Sequence, residues 1–178
     1  VLEAAVSGRL TEGWRNSHSS TCDSTSLSHE NGPYGADPLP DSWCWVSVER
    51  LSIKVADGVH KKPQYVNDGI PVITVRNLTA GPGIDFSETS FVTQADHEEF
   101  CRRTHPEPGD LLVSKDGTLG VIRLIEADRP FSIFVSVALI KLNDKRMSRY
   151  MRYALESPVV QKQMVGVGTG LQHIHLRD

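Results

Sequence analysis

The chain has 178 residues, 39% of them apolar and 23% charged, with 19 basic against 22 acidic side chains and a formal net charge of −3. That suits one domain with attachments, and it gives no membrane span, because the longest apolar run, residues 133 to 140, is broken by Ser136 and falls far short of roughly 18 residues. Cys22, Cys44 and Cys101 are odd in number and widely spaced, which yields neither a disulfide framework nor a paired zinc knuckle and points to reduced thiols in a cytoplasm.

Residues 1 to 40 carry two basic and five acidic side chains, so the remaining 17 basic and 17 acidic residues balance. A neutral body argues against strong nonspecific binding to a polyanion, which draws on counterion release by many Lys and Arg. Any nucleic-acid contact must rest on locally placed groups. His173 and His175 put two imidazoles on one face of a strand, but no Cys or carboxylate cluster stands beside them to complete a set of three or four ligands, and no metal site is expected.

Residues 1 to 15 repeat Leu2, Ala5, Val6, Leu10 and Trp14 at steps of three and four, one apolar stripe of a helix. With Val1 already in pattern and no cap before it, they are expected to be the end of a longer helix. From Asn16 to Pro40 the chain is crowded with Ser, Thr, His, Asn, Asp, Gly and Pro, too polar to offset its ordering entropy, and reads as a linker. Trp43 and Trp45, followed by Val46, Val48, Leu51, Ile53 and Val55, open the globular part with a large apolar load. Then Asp57-Gly58-Val59-His60-Lys61-Lys62-Pro63-Gln64-Tyr65 forms a loop with adjacent lysines and a terminal aromatic, either an exposed basic loop or one for contact with phosphates or bases.

Residues 69 to 78 read as a strand whose end delivers Arg76 and Asn77, side chains able to pair twice with guanine and adenine edges and equally ordinary at a strand end. Residues 84 to 92 offer another short strand. Thr93 can cap a surface helix from Gln94 to about Arg103, with Asp96 in its first turn. Leu111 to Val113 and Val121 to Ile125 flank Asp116-Gly117, a hairpin signal, since Asp-Gly tolerates the positive φ of a tight turn; the hairpin projects Ser114, Lys115, Asp116 and Thr118. Residues 131 to 142 are apolar on both faces and should form one central strand. Ser148 is expected to cap a helix presenting Met151, Ala154 and Leu155, and Ser157-Pro158 to start another. The chain ends in a glycine-rich loop, residues 166 to 170, and a short strand; without a Gly-Lys-Ser/Thr ending this is not a nucleotide-phosphate loop. No Gly-x-Ser-x-Gly elbow accompanies Ser114 or Ser136, so a hydrolase built on them with His173 or His175 is not expected.

Four segments together, Leu39-Pro40-Asp41-Ser42-Trp43 with Trp45, residues 57 to 65, residues 109 to 120 and residues 168 to 174, resemble in order, spacing and residues the target recognition domain of type I restriction-modification specificity subunits. Residues 2 to 12 are also similar to the end of the spacer helix that joins the two recognition domains of such a subunit, which makes this the second domain. Leu171 and Val59 depart from the family's pattern, which commonly has a polar residue and Thr there, and leave the detail of those loops open.

The resemblance implies an α+β fold: a twisted, mostly antiparallel β-sheet core with flanking helices at residues 39 to 178, preceded by the spacer-helix end at 1 to 15 and a flexible linker at 16 to 38. It implies a non-catalytic, sequence-specific reader of double-stranded DNA, with no cofactor of its own. Modification subunits would methylate adenine with S-adenosylmethionine, and restriction subunits would use ATP and Mg2+. On this reading Lys61, Lys62, Lys115 and Arg129 are expected at phosphates and Arg76, Asn77, Thr118, Gln172 and His173 at base edges, with His60, Tyr65, Ser114 and Thr169 in the same loops. The other class in view is a docking module that binds protein partners without reading bases.

Overall fold

The computed structural model describes residues 1 to 18, 38 to 40 and 43 to 166. The glycine-rich loop and final strand expected after residue 166, with Thr169, Gln172 and His173, lie outside them, as does most of the expected linker. The N-terminal helix is not continuous: α1 (Leu2–Val6) and α2 (Glu12–Ser17) are separated by a 3-10 turn at Arg9–Thr11. Gly8 causes the break, because at φ 80° it takes the left-handed conformation that terminates a helix.

After α3 (Val48–Leu51) come β1 (Ser52–Asp57) and β2 (Ile70–Ile73). The strand expected over 69 to 78 stops at β2, and Arg76 and Asn77 lie on a short helix, α4 (Val75–Thr79). The local cause is Asn77, whose Oδ1 accepts from the Thr74 backbone amide and the Thr74 hydroxyl, both at 2.9 Å, and so turns the chain into a helical start. Of residues 84 to 92 only β3 (Ser90–Val92) is strand, and α5 (Gln94–Cys101) follows with its amide at Asp96 donating to the Thr93 hydroxyl, as expected of that cap. The hairpin strands are β4 (Leu111–Ser114) and β5 (Ile122–Leu124), with Gly117 at φ 72° in the connecting loop.

The long apolar stretch is two strands, β6 (Ser132–Ile133) and β7 (Val137–Leu142), because the Val137 amide donates to the Phe134 carbonyl and folds residues 134 to 137 into a turn. The two halves enter different sheets. One has the order β1-β7-β4-β5 and is antiparallel throughout; the other has the order β3-β2-β6, with β2 antiparallel to β3 and parallel to β6. The expected, mostly antiparallel β-sheet core is thus made of two sheets. In the second half of the chain, a 3-10 turn at Lys145–Met147, capped by the Asp144 carboxylate, leads into α6 (Ser148–Leu155), and α7 (Pro158–Gly166) follows. Ser148 is not a cap, since its hydroxyl donates to the Gly109 carbonyl at 2.5 Å.

The alternation of side chains along a strand explains the layering. Leu112, Val137 and Leu139 on one face of the four-stranded sheet join Ile73 and Ile133 of the other sheet, with Leu78, Ile125 and Phe131, in one buried cluster. Leu111, Val113, Ile140 and Leu142 on the opposite face meet Met151 and Leu155 of α6. Val72 and Val92, on the outer face of the three-stranded sheet, take Phe100 of α5. A sheet buried on both faces needs apolar residues at consecutive positions, which is why β4 and β7 show no polar alternation. The base of the hairpin is held by charge: Lys141 Nζ donates to Asp110 Oδ2 at 2.5 Å and Glu107 Oε2 at 2.7 Å, and Asp110 is fully buried.

Candidate nucleic-acid interface

The basic loop is a strap rooted at both ends. At its start the amides of Gly58 and Val59 donate to the carbonyls of Val137 and Ile133 at 3.0 and 2.9 Å, and Val135 N donates back to Val59 O at 3.1 Å. Gly58 is required there, because a Cβ would overlap the carbonyl oxygens of Ile133 and Phe134. At its end Val66 N donates to Phe91 O at 2.9 Å. Between these roots Pro63 is buried, and His60, Lys61, Lys62, Gln64 and Tyr65 are exposed. The strap thus presents cationic and aromatic side chains from a rigid base, a disposition suited to phosphate contact and stacking.

The hairpin loop behaves otherwise. The Ser114 hydroxyl accepts from the Val121 amide at 2.8 Å, and the residue is fully buried, so its expected place in the interface is corrected to a structural one. Lys115 is buried too, with its amide bonded to Ser136 O at 3.0 Å and its Nζ 3.5 Å from Asp57 Oδ2, so it cannot reach a phosphate in solvent. Only the tip, Gly117 and Thr118, is exposed.

Asn77 requires the same correction. Besides accepting from Thr74, its Nδ2 donates to the carbonyls of Asp85 and Glu88 at 2.9 and 3.0 Å, and the residue is 4% exposed, so its amide is engaged inside the protein. Arg76 is exposed and ion-paired with Glu88. Arg129 lies over the Phe86 ring, 4.7 Å from its centroid, and Phe86 meets Phe131 edge-on. Arg76 and Arg129 therefore belong to a second locus, around residues 85 to 88.

Two residues escaped the sequence reading. Asp57 gathers basic groups: its carboxylate is 3.7 Å from His60 Nε2 as well as 3.5 Å from Lys115 Nζ, and its carbonyl accepts from Arg103 Nε at 3.2 Å. Arg103 is exposed beyond the end of α5 and 46 positions from Asp57 in sequence, a separation that no motif spacing bridges. Among the described residues no three His, Cys, Asp or Glu side chains come together as a metal site, and no helix is long and apolar enough to cross a membrane.

Neither a family model nor a curated protein matches the sequence. Among solved structures, a chain from a study of complex assembly and conformational transition of the type I R-M system matches 99% of this chain with a TM-score of 0.55 and 15% identity. The HsdS subunit from Thermoanaerobacter tengcongensis matches 80% of it with a TM-score of 0.49 and 16% identity. This chain spans only 37% and 34% of the length of those two chains. The first of these likenesses shows that the α+β fold described above is shared with a chain of the type I R-M system.

Proposed function

We propose that this chain is a target recognition domain of a type I restriction-modification specificity subunit and reads double-stranded DNA without catalysing a reaction. The observation that carries the reading is the strap from His60 to Tyr65, rooted in the sheets on both sides and exposed between except at Pro63. A strap already held in place loses little entropy when a ligand orders it, so its cations can serve affinity directly. The fold shared with a chain of the type I R-M system supports the same reading.

Lys61, Lys62 and Arg129 are the proposed phosphate contacts, which position the domain and carry no sequence information. Thr118, at the exposed hairpin tip, and Arg76 are the proposed base readers, together with Gln172 and His173 beyond the described residues; His60, Tyr65 and Thr169 border them. Methylation with S-adenosylmethionine is assigned to modification subunits, and cleavage with ATP and Mg2+ to restriction subunits.

The test is selection from a randomised duplex library by the chain assembled with its modification subunits, followed by sequencing across a salt series. Enrichment of one short half-site is the expected result. An intact assembly that enriches no sequence would make the domain a protein-docking module instead.

A further inference from the structure

Asp57 joins three parts of the chain that lie far apart in sequence. It ends β1 at the root of the strap, pairs at 3.5 Å with Lys115 of the hairpin loop, and through its carbonyl tethers Arg103 at 3.2 Å beyond α5. The Lys115 side chain is 2% exposed and that of Asp57 34%. The lysine is therefore sealed beneath the surface, while its carboxylate partner is partly open to solvent.

We propose that Asp57 and Lys115 are a positioning pair that sets the strap and Arg103 as one surface for the phosphates of a DNA backbone, with Arg103 itself a phosphate contact. This deepens the DNA-reading function proposed above and rests on it. A carboxylate placed among phosphate-binding side chains repels the ligand unless a cation offsets it, and burial strengthens that offset, because the low local dielectric leaves the attraction poorly screened. Lys115 is suited to this by its burial: its amide is bonded to Ser136 O, which fixes its backbone, and its side chain is packed inside the protein with the ammonium 3.5 Å from Asp57 Oδ2. Arg103 donates Nε to the Asp57 carbonyl, which uses one of the five donors of a guanidinium and fixes its place beside the strap. His60, 3.7 Å from the same carboxylate, ties the strap's first exposed residue to the junction.

The experiment compares the wild-type chain with Arg103→Ala, Lys115→Met and the double variant Asp57→Asn/Lys115→Met, each assembled with the modification subunits. Three quantities are read: affinity for random-sequence duplex against salt, the thermal midpoint, and hydrogen exchange of the strap amides. Arg103→Ala is expected to weaken binding to all sequences alike, by roughly three- to tenfold, and to lower the salt slope by about one. Lys115→Met is expected to weaken binding by a similar factor and to speed exchange at Gly58 and Val59. The double variant should recover much of the lost affinity, since no carboxylate is then left exposed to the phosphate; a role confined to stability would instead restore affinity only in step with the thermal midpoint and leave the salt dependence unchanged.

Arg103 is on the surface, so its variant tests the contact even where Lys115→Met lowers the yield of folded protein. Unchanged affinity and slope in Arg103→Ala, or a double variant no better than Lys115→Met, would overturn the proposal. Should the wild-type assembly bind no DNA at any salt, the DNA-reading function itself fails and with it the phosphate role of Arg103. Exchange at Gly58 and Val59 unchanged by Lys115→Met would then overturn the pairing as well.

Discussion

Asn77 and Thr74 hold each other at the start of α4: Asn77 Oδ1 accepts from both the amide and the hydroxyl of Thr74, while its Nδ2 donates to the carbonyls of Asp85 and Glu88. One side chain thus shapes the helix and secures the loop that carries Phe86 and Glu88. Replacing it leaves buried polar partners unmet, at about 1–3 kcal/mol for each group so stranded. Asn77→Leu is expected to lower the unfolding free energy obtained from urea titration by at least that much, and the urea midpoint with it. Asn77→Asp should also destabilise, because a carboxylate facing two carbonyls has nothing to donate. A midpoint equal to wild type in both variants would show that the amide is dispensable to the fold.

Gly58 sits where the strap leaves β1 and passes over residues 133 and 134, and no side chain fits there. Its constraint is close approach, since a Cβ would overlap two backbone carbonyl oxygens. Gly58→Ala must displace one backbone segment or the other, with a cost of roughly 1–3 kcal/mol. It should speed amide exchange at Val59 and Val135, which bond across this crossing. The control is Gly81→Ala, where a Cβ meets nothing within 4 Å, and it is expected to leave the midpoint nearly unchanged.

The elements marked by apolar runs or by a cap were legible in the sequence: the hairpin strands and the central position of residues 137 to 142 from the former, and the helix after Thr93 from the latter. The places where reading failed share a physical cause, a tertiary contact or backbone turn that residue type does not announce. Residues 131 to 142 look like one strand because both sheets demand apolar residues, and the turn between Phe134 and Val137 contains no Gly or Pro to mark it. Asn77 suits a base reader on chemistry alone, yet it is buried and bonded within the protein. Lys115 looks like an exposed turn cation and is covered. The strap, by contrast, was visible as a basic loop; what the sequence could not supply was Arg103 beside it.

His97 gives the fold a pH dependence whose sign follows from its surroundings. Its Nδ1 lies 2.9 Å from the Ser132 hydroxyl, joining α5 to the three-stranded sheet, and Cys101 Sγ is 3.5 Å from Nε2. Burial pushes its pKa below the ordinary value of 6.5, the charge of His105 adds to this, and Glu98 opposes it. With the folded pKa below the unfolded one, the unfolded chain takes up the proton first. The stabilisation is therefore complete above the unfolded value and is lost as pH falls through the folded one. The wild-type urea midpoint should drop below about pH 6.5 more steeply than that of His97→Asn, which keeps a polar group near Ser132 but cannot charge. Parallel curves for the two proteins would assign the acid sensitivity to other groups.

Glu88 and Arg76 set an electrostatic condition on the second locus. Both side chains are well exposed, at 68% and 75%, so the pair adds little to stability, within about 1 kcal/mol. Its consequence for DNA is larger. The Glu88 carboxylate is paired with Arg76, where it both occupies the guanidinium and repels a phosphate backbone. If Arg76 meets DNA, Glu88→Gln should leave the unfolding free energy within about 0.5 kcal/mol of wild type while raising affinity at low salt. The gain should fade as salt rises, because it is a screened interaction between exposed charges. It should also vanish when Arg76→Ala is added, since an effect routed through Arg76 cannot survive its removal. Equal gains with and without Arg76 would mean that Glu88 acts only through the net charge of the surface. No gain at any salt would place α4 away from the DNA, leaving the strap and the hairpin tip as the interface.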